Sequence, residues 1–190
     1  MISLGIILAI FILIQLFAIK SRTGIESYPY KVEQSFNGFE VRTYEASLFS
    51  SVKVGSGEYK QVAGQGFSAL GGYIFGANED NQKIAMTSPV TMSLGDSSTM
   101  MFMIPKGYKE SDLPKPNNGN ISFKEMPDMR VAAITFGGWA DSKKIEIYKN
   151  KLIKMLKDQK IEHTSTFFFL GYNPPYDVFG RKNEVIVKLE

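Results

Sequence analysis

The chain has 190 residues, 44% of them hydrophobic and 13% aromatic, with a formal net charge of +3 and no cysteine. Without cysteine there can be no disulfide, no thiolate chemistry and no cysteine-ligated metal, a composition that fits a reducing compartment. The charge excess is small and its lysines are mixed with carboxylates, which argues against a nucleic-acid partner.

Residues 2–19 are apolar except for Ser3, Gly5 and Gln15, and none is charged. As a helix this run would rise about 27 Å at 1.5 Å per residue, enough for a thin bilayer. A cleaved signal peptide would carry a basic start and a small-residue cleavage site, and neither is present. The expectation is an uncleaved membrane anchor over residues 1–20, a polar tether over residues 21–29 and one folded domain over residues 30–190. Lys20 and Arg22 flank the run on one side only. By the positive-inside rule the protein would then be single-pass, with its domain in the cytoplasm.

Residues 30–45 read as a hairpin: Tyr30, Val32 and Gln34 alternate, Asn37-Gly38 offers a positive-φ turn, and Phe39, Val41 and Thr43 return. Residues 48–54 make a further strand, ended by Gly55-Ser56-Gly57. Tyr59, Val62, Ala63, Gly66, Phe67, Leu70 and Ile74 then recur at helical spacing, which predicts a helix over residues 58–75. Gly64, Gly66, Gly71 and Gly72 lie inside it, each costing about 1 kcal/mol against alanine. Such a helix must be held by packing, and its smooth faces allow a backbone or a flat ligand to approach.

Residues 83–92 and 99–104 form the next strand pair, joined through Gly95-Asp96, with Pro89 calling for an edge or bulge position. Residues 105–120 are a loop rich in Pro, Gly, Asn and Lys, and residues 121–136 are strand material broken at Pro127-Asp128. A second helix follows over residues 141–158, capped by Asp141 or Ser142. Its apolar stripe is Ile145, Tyr148, Leu152, Met155 and Leu156, and its wet face carries Lys143, Lys144, Glu146, Lys151, Lys154 and Lys157. The aromatic run Phe167-Phe168-Phe169-Leu170 is a buried strand that Asn173-Pro174-Pro175 must stop. Gly180 allows a turn into a last strand, with Val185, Val187 and Leu189 facing one way. Strand, helix and two strands thus occur twice. The fold class is α+β, built from two βαββ-like halves, with no signal for a parallel sheet.

Chemistry is sparse. Gly64-Gln65-Gly66-Phe67-Ser68-Ala69 matches the glycine spacing of a dinucleotide fingerprint, but it lies within a helical pattern rather than at a strand-to-helix turn. His163 is the one histidine, so no histidine cluster can hold zinc. Met86, Met92, Met101 and Met103 lie at strand spacing and read as core. No pair of carboxylates stands out as acid and base. The residues describe a binding module rather than an enzyme.

Three blocks in order, KIAMTSPVTM, TMMFMIPKGY and GYNPPYDVFGRKNEVIVKL, resemble the SOUL family of haem-binding proteins. That family pairs an M-T-x-PV strand with an F-x-IP strand and ends in a GY-x-PP corner before an RRNE-type strand. Lys182 stands where its second arginine is usual. The resemblance implies a distorted antiparallel β-barrel of two pseudo-symmetric halves with two outer helices. It also implies haem or another tetrapyrrole as ligand, lying against an apolar surface beside the first domain helix, with helix cations meeting the propionates. Here the corresponding cationic positions fall near Gly64 and Gly72. The site residues expected are therefore Val62, Phe67 and Leu70, with Lys60 as the nearest cation and Lys83 just past the helix. Two readings stand side by side: a membrane-tethered haem carrier or buffer, and a small-ligand effector-binding or partner-binding module similar to bacterial domains of the GyrI type.

Overall fold

A computed structural model describes residues 4–22, 24–95, 97–174 and 176–190, with the side chains of Leu4 and of residues 16–22 left undescribed. Residues 1–3, Thr23, Asp96 and Pro175 lie outside the described residues. So do, with them, the start of the apolar run, part of the tether, part of the 95–96 turn and part of the proline corner expected from the sequence.

An N-terminal helix α1 (Leu4–Arg22) precedes β1 (Tyr30–Ser35), β2 (Glu40–Tyr44), β3 (Ser47–Gly55), α2 (Tyr59–Ile74), β4 (Val90–Leu94) and β5 (Ser98–Met103). A short turn of 3₁₀ helix at Glu110–Asp112 leads to β6 (Ile121–Met126), β7 (Met129–Gly137), α3 (Ser142–Asp158), β8 (His163–Gly171) and β9 (Lys182–Leu189). Among the described residues the nine strands form one sheet in the order β1-β2-β7-β9-β8-β4-β5-β3-β6, antiparallel at every pairing. The unit β3-α2-β4-β5 lies in the sheet as β4-β5-β3, and β7-α3-β8-β9 as β8-β9-β7. Each half lends its preceding strand to the other: β2 pairs with β7, and β6 with β3. The doubled pattern of the sequence is therefore a doubled topology.

The sheet curls but does not close. The expected barrel is a half-barrel whose ends are β1 and β6. All six residues of β1 are exposed, so it has no apolar face to bury against β6. Alternation sorts the other strands. Val185, Val187 and Leu189 face α3, while Ile186 between them faces the hollow of the curl. Met100 and Phe102 face α2, while Met101 and Met103 join the hollow with Tyr44, Phe49, Phe168 and Leu170. Of the methionines expected in the core, Met92, Met101 and Met103 are buried and Met86 is half-buried.

The β1–β2 hairpin turns as the sequence predicts, with Gly38 at φ +99°. A side chain there would also collide with the Met155 methyl, 2.8 Å from the Cβ position, so this turn is pinned under α3. Asp141 caps α3, accepting from the Lys144 N–H at 2.7 Å. Ser142 ties the two helix starts together: its hydroxyl accepts from the Tyr59 N–H and donates to Glu58. Pro89 stands just ahead of β4, outside the ladder, which is how a proline can precede a central strand.

The membrane anchor is overturned. Among the described residues no helix is long and apolar enough to cross a membrane. The uncharged part of α1, residues 4–19, rises about 24 Å, short of the roughly 30 Å hydrocarbon core. Gln15, a mere interruption in the sequence, is a docking residue. It is buried, its amide donates to the Tyr176 carbonyl at 3.3 Å, and its carbonyl accepts from the Val178 N–H at 3.2 Å. Phe11 meets Phe179 edge-on, ring centroids 6.2 Å apart. The single-pass membrane location with a cytoplasmic domain, and the membrane as partner, fall with the anchor. The tether also makes contacts: Ser27 bridges Ser88, and Tyr28 is buried.

Candidate functional site

At 100° per residue, Lys60, Gly64, Phe67, Gly71 and Phe75 fall within a sector of about 80° on α2, whereas Val62, Gly66, Leu70 and Tyr73 fall on the opposite side. The structure follows that division. Leu70, Tyr73 and Ile74 pack with Val52, Met100 and Phe102 under the helix, and Val62 is buried too. Phe67 and Phe75 stand outside, 38% and 59% exposed.

The glycines divide in the same way. A Cβ on Gly66 would lie 2.8 Å from Met100 and 2.9 Å from Val54, so glycine there lets the helix sit down on the sheet. A Cβ on Gly64 would meet nothing within 4 Å. Gly71 is buried, and a Cβ there would touch the rings of Phe67 and Phe75 at 3.5 and 3.7 Å, so glycine lets the two exposed rings close over the helix. Of the residues expected at the site, Lys60 and Phe67 share this outer face. Val62 and Leu70 are side chains of the core beneath it. Phe75 was missed, although its spacing from Gly64 and Phe67 was a usable signal. Lys83 is exposed beyond the helix end.

The other singular chemistry is a buried ion pair that the sequence did not suggest. Arg42 Nη1 lies 3.0 Å from both oxygens of Glu184, whose side chain has no exposed surface. Tyr172 Oη donates to Glu184 at 2.7 Å, Thr135 Oγ1 at 3.0 Å, and Lys182 Nζ lies 3.1 Å away. Burial alone would raise the Glu184 carboxyl, but Arg42, Tyr172 and Lys182 together hold it below the usual carboxylate range. Burial alone would likewise lower Arg42, and Glu184 with Tyr44 and Glu40 reverses that. Burial pushes the Tyr172 phenol up, with Tyr44 and Glu184 adding to the rise. Every acceptor site of Glu184 is engaged, so the pair is built to hold β2 to β9 rather than to exchange protons.

His163 opens β8 on the α3 half, where Nδ1 donates to the Thr164 carbonyl at 2.7 Å and the ring meets Phe167 edge-on. Among the described residues no group of three or more histidines and carboxylates is placed to hold a metal ion.

The model of the SOUL heme-binding protein family matches residues 25–188. Mouse heme-binding protein 2 is 27% identical over 83% of this chain and 80% of its own length. Heme-binding protein 1 of Xenopus laevis is 28% identical over 82% and 85%, and human heme-binding protein 2 is 29% identical over 77% and 76%. These relatives are named as binding proteins, not as enzymes. Among solved structures, the C-terminal domain of EcmrR superimposes with a TM-score of 0.63 at 12% identity, over 85% of this chain and 98% of that one. That likeness shows a shared fold. The chain belongs to the SOUL heme-binding protein family.

Proposed function

We propose that this protein binds haem or another tetrapyrrole on the outer face of α2, as a carrier or buffer rather than as an enzyme. The observation that carries the reading is the pair of exposed rings, Phe67 and Phe75, flanking Gly71 on the stripe that also bears Gly64 and Lys60. A flat macrocycle gains by covering exposed aromatic surface, about 25 cal/mol per Å² of apolar area removed from water. Gly64 lets it approach the helix, and Lys60 stands one turn before Gly64 to meet a propionate. Val62 and Leu70 hold the helix in place from below. Haem itself would supply an iron open to exchangeable axial ligands and two propionate charges. These side chains offer dispersion and one cation but no strong axial ligand, so the affinity expected is modest.

A haemin titration of the full chain, followed in the Soret band, tests this. Phe67→Asp should abolish binding by setting a charge against the macrocycle. Phe75→Ala should weaken it, and His163→Ala should leave both the dissociation constant and the Soret maximum unchanged. Loss of a low-spin spectrum in His163→Ala would move the site to β8 and sink the α2 reading.

A further inference from the structure

A cleft of about 320 Å³ opens beside the corner after β8, lined by Ile25, Ser27, Ser88, Tyr172, Asn173, Gly180 and Lys182. Three chain segments converge on it. The strap of residues 25–28 is held by the Ser27–Ser88 bridge and by the Tyr28 N–H donating to the Ser88 carbonyl at 2.8 Å. The corner after β8 supplies Tyr172, Asn173 and Gly180. Its form is fixed by Arg181, whose guanidinium donates to the carbonyls of Pro174 and Asp177. Asn173 is committed to the corner as well, accepting from the Lys182 N–H at 2.7 Å and donating to Asp177 at 2.6 Å. The walls are therefore set before any ligand arrives, and the volume lies in the range of small-molecule sites.

The charge of the cleft is one-sided. No carboxylate is among its lining residues. Behind it, Glu184 faces two cations: Arg42 covers both of its oxygens, and Lys182 reaches one of them from the cleft side. An ammonium has three donors, and Glu184 takes one from Lys182. The Lys182 side chain is 39% exposed, and its Nζ sits 4.1 Å over the Tyr172 ring, which fixes it beside an aromatic wall. Ile25 adds an apolar wall, and Ser27 and Ser88 add hydroxyls.

We propose that this cleft is a binding site for a small monocarboxylate with an apolar body, its carboxylate on Lys182 and the Ser27 and Ser88 hydroxyls, its body against Tyr172 and Ile25. The site is separate from the haem face: α2 contributes no residue to its lining.

Benzoate is a suitable probe, and benzamide its neutral counterpart of the same shape. With the full-length isotope-labelled protein at constant ionic strength, benzoate should shift the backbone amide resonances of Ser88, Asn173 and Gly180 along saturable curves. Benzamide should not. Lys182→Arg should retain binding, and Lys182→Met should weaken it by about ten-fold or more, the scale of one lost charge-assisted contact. Arg42, Tyr172 and Thr135 still serve Glu184 in that variant, so its spectrum away from the cleft should be that of the folded protein. If Lys182→Met does not fold, Ser27→Val takes its place and should weaken benzoate through the lost hydroxyl. Equal shifts with benzamide, unchanged affinity in these variants, or shifts that never saturate would each overturn the assignment. Phe67→Asp should leave benzoate binding intact, which keeps this result distinct from the outcome at α2.

Discussion

The two halves share a topology and differ in what they show to solvent. α3 carries six lysines, one glutamate and one aspartate, contains no glycine, and packs its apolar stripe on the sheet, leaving Ile147 exposed. α2 has one charged residue, Lys60, four glycines and two exposed phenylalanine rings on or beside it. Solvated charges on an outer face would have to be desolvated by an apolar ligand, whereas bare aromatic rings in water invite a cover. Beneath the helices the contrast reverses. The α3 half holds the Arg42–Glu184 pair between β2 and β9, whereas β3 and β6 of the other half meet through hydroxyls, with Ser51 Oγ 3.0 Å from Ser122 Oγ. The α2 half thus bears the face proposed for the ligand, and the α3 half bears the buried ion pair.

The largest expected effect tests that last statement. Arg42→Ala should destabilise by about 3–5 kcal/mol at neutral pH, because it leaves a buried carboxylate with its main partner gone. The pH dependence should change as well. In the native protein the folded Glu184 titrates below its unfolded range. Its contribution is thus present above the unfolded pKa and is lost as pH falls through the folded one. In Arg42→Ala burial dominates and raises the carboxyl, so acidification should restore stability instead of removing it. Urea unfolding at several pH values reads both, and an unchanged pH profile would deny the pair its role.

The buried leucines ask whether the halves are equivalent where they pack. Leu70 and Leu152 both have 0% exposure, so Leu70→Ala and Leu152→Ala should each cost about 2–5 kcal/mol in the same unfolding assay. A loss near zero for either would place that helix face in solvent. The glycines of α2 give the smallest effects and the sharpest contrast, because the same substitution should have opposite signs one turn-half apart. Gly66→Ala should cost about 1–3 kcal/mol by overpacking against Met100 and Val54. Gly64→Ala, with nothing within 4 Å, should stabilise by up to about 1 kcal/mol.

Local pattern made most of the elements legible in the sequence. Both domain helices, the Asn37-Gly38 hairpin and the alternation of Val185, Val187 and Leu189 are set by residues near one another in the chain, and the structure keeps them. Non-local facts were harder. Arg42 and Glu184 are separated by 142 residues, so no local pattern pairs them. Helical spacing put Lys60 and Phe67 on one helix but did not say which way they faced. Val62 and Leu70 were grouped with them because an apolar list does not state its angle. The N-terminal run misled for a related reason. Hydropathy counts Gln15 as a blemish, while in the fold its amide is the atom pair that fastens α1 to residues 176–178.

An unclosed sheet keeps two free edges, and each is a template on which another chain could add a strand. In this half-barrel the outer strands are guarded. β1 carries Lys31 and Glu33 and slips register between Val32 and Gln34, a bulge that spoils a straight run of donors and acceptors. β6 carries Lys124 and Glu125, and its outward residues are polar. A second molecule approaching either edge would have to desolvate those charges before gaining a ladder. The openness of the curl is thus compatible with a protein that does not polymerise edge to edge, and neutralising the two strand edges would turn the same geometry into a route to self-association.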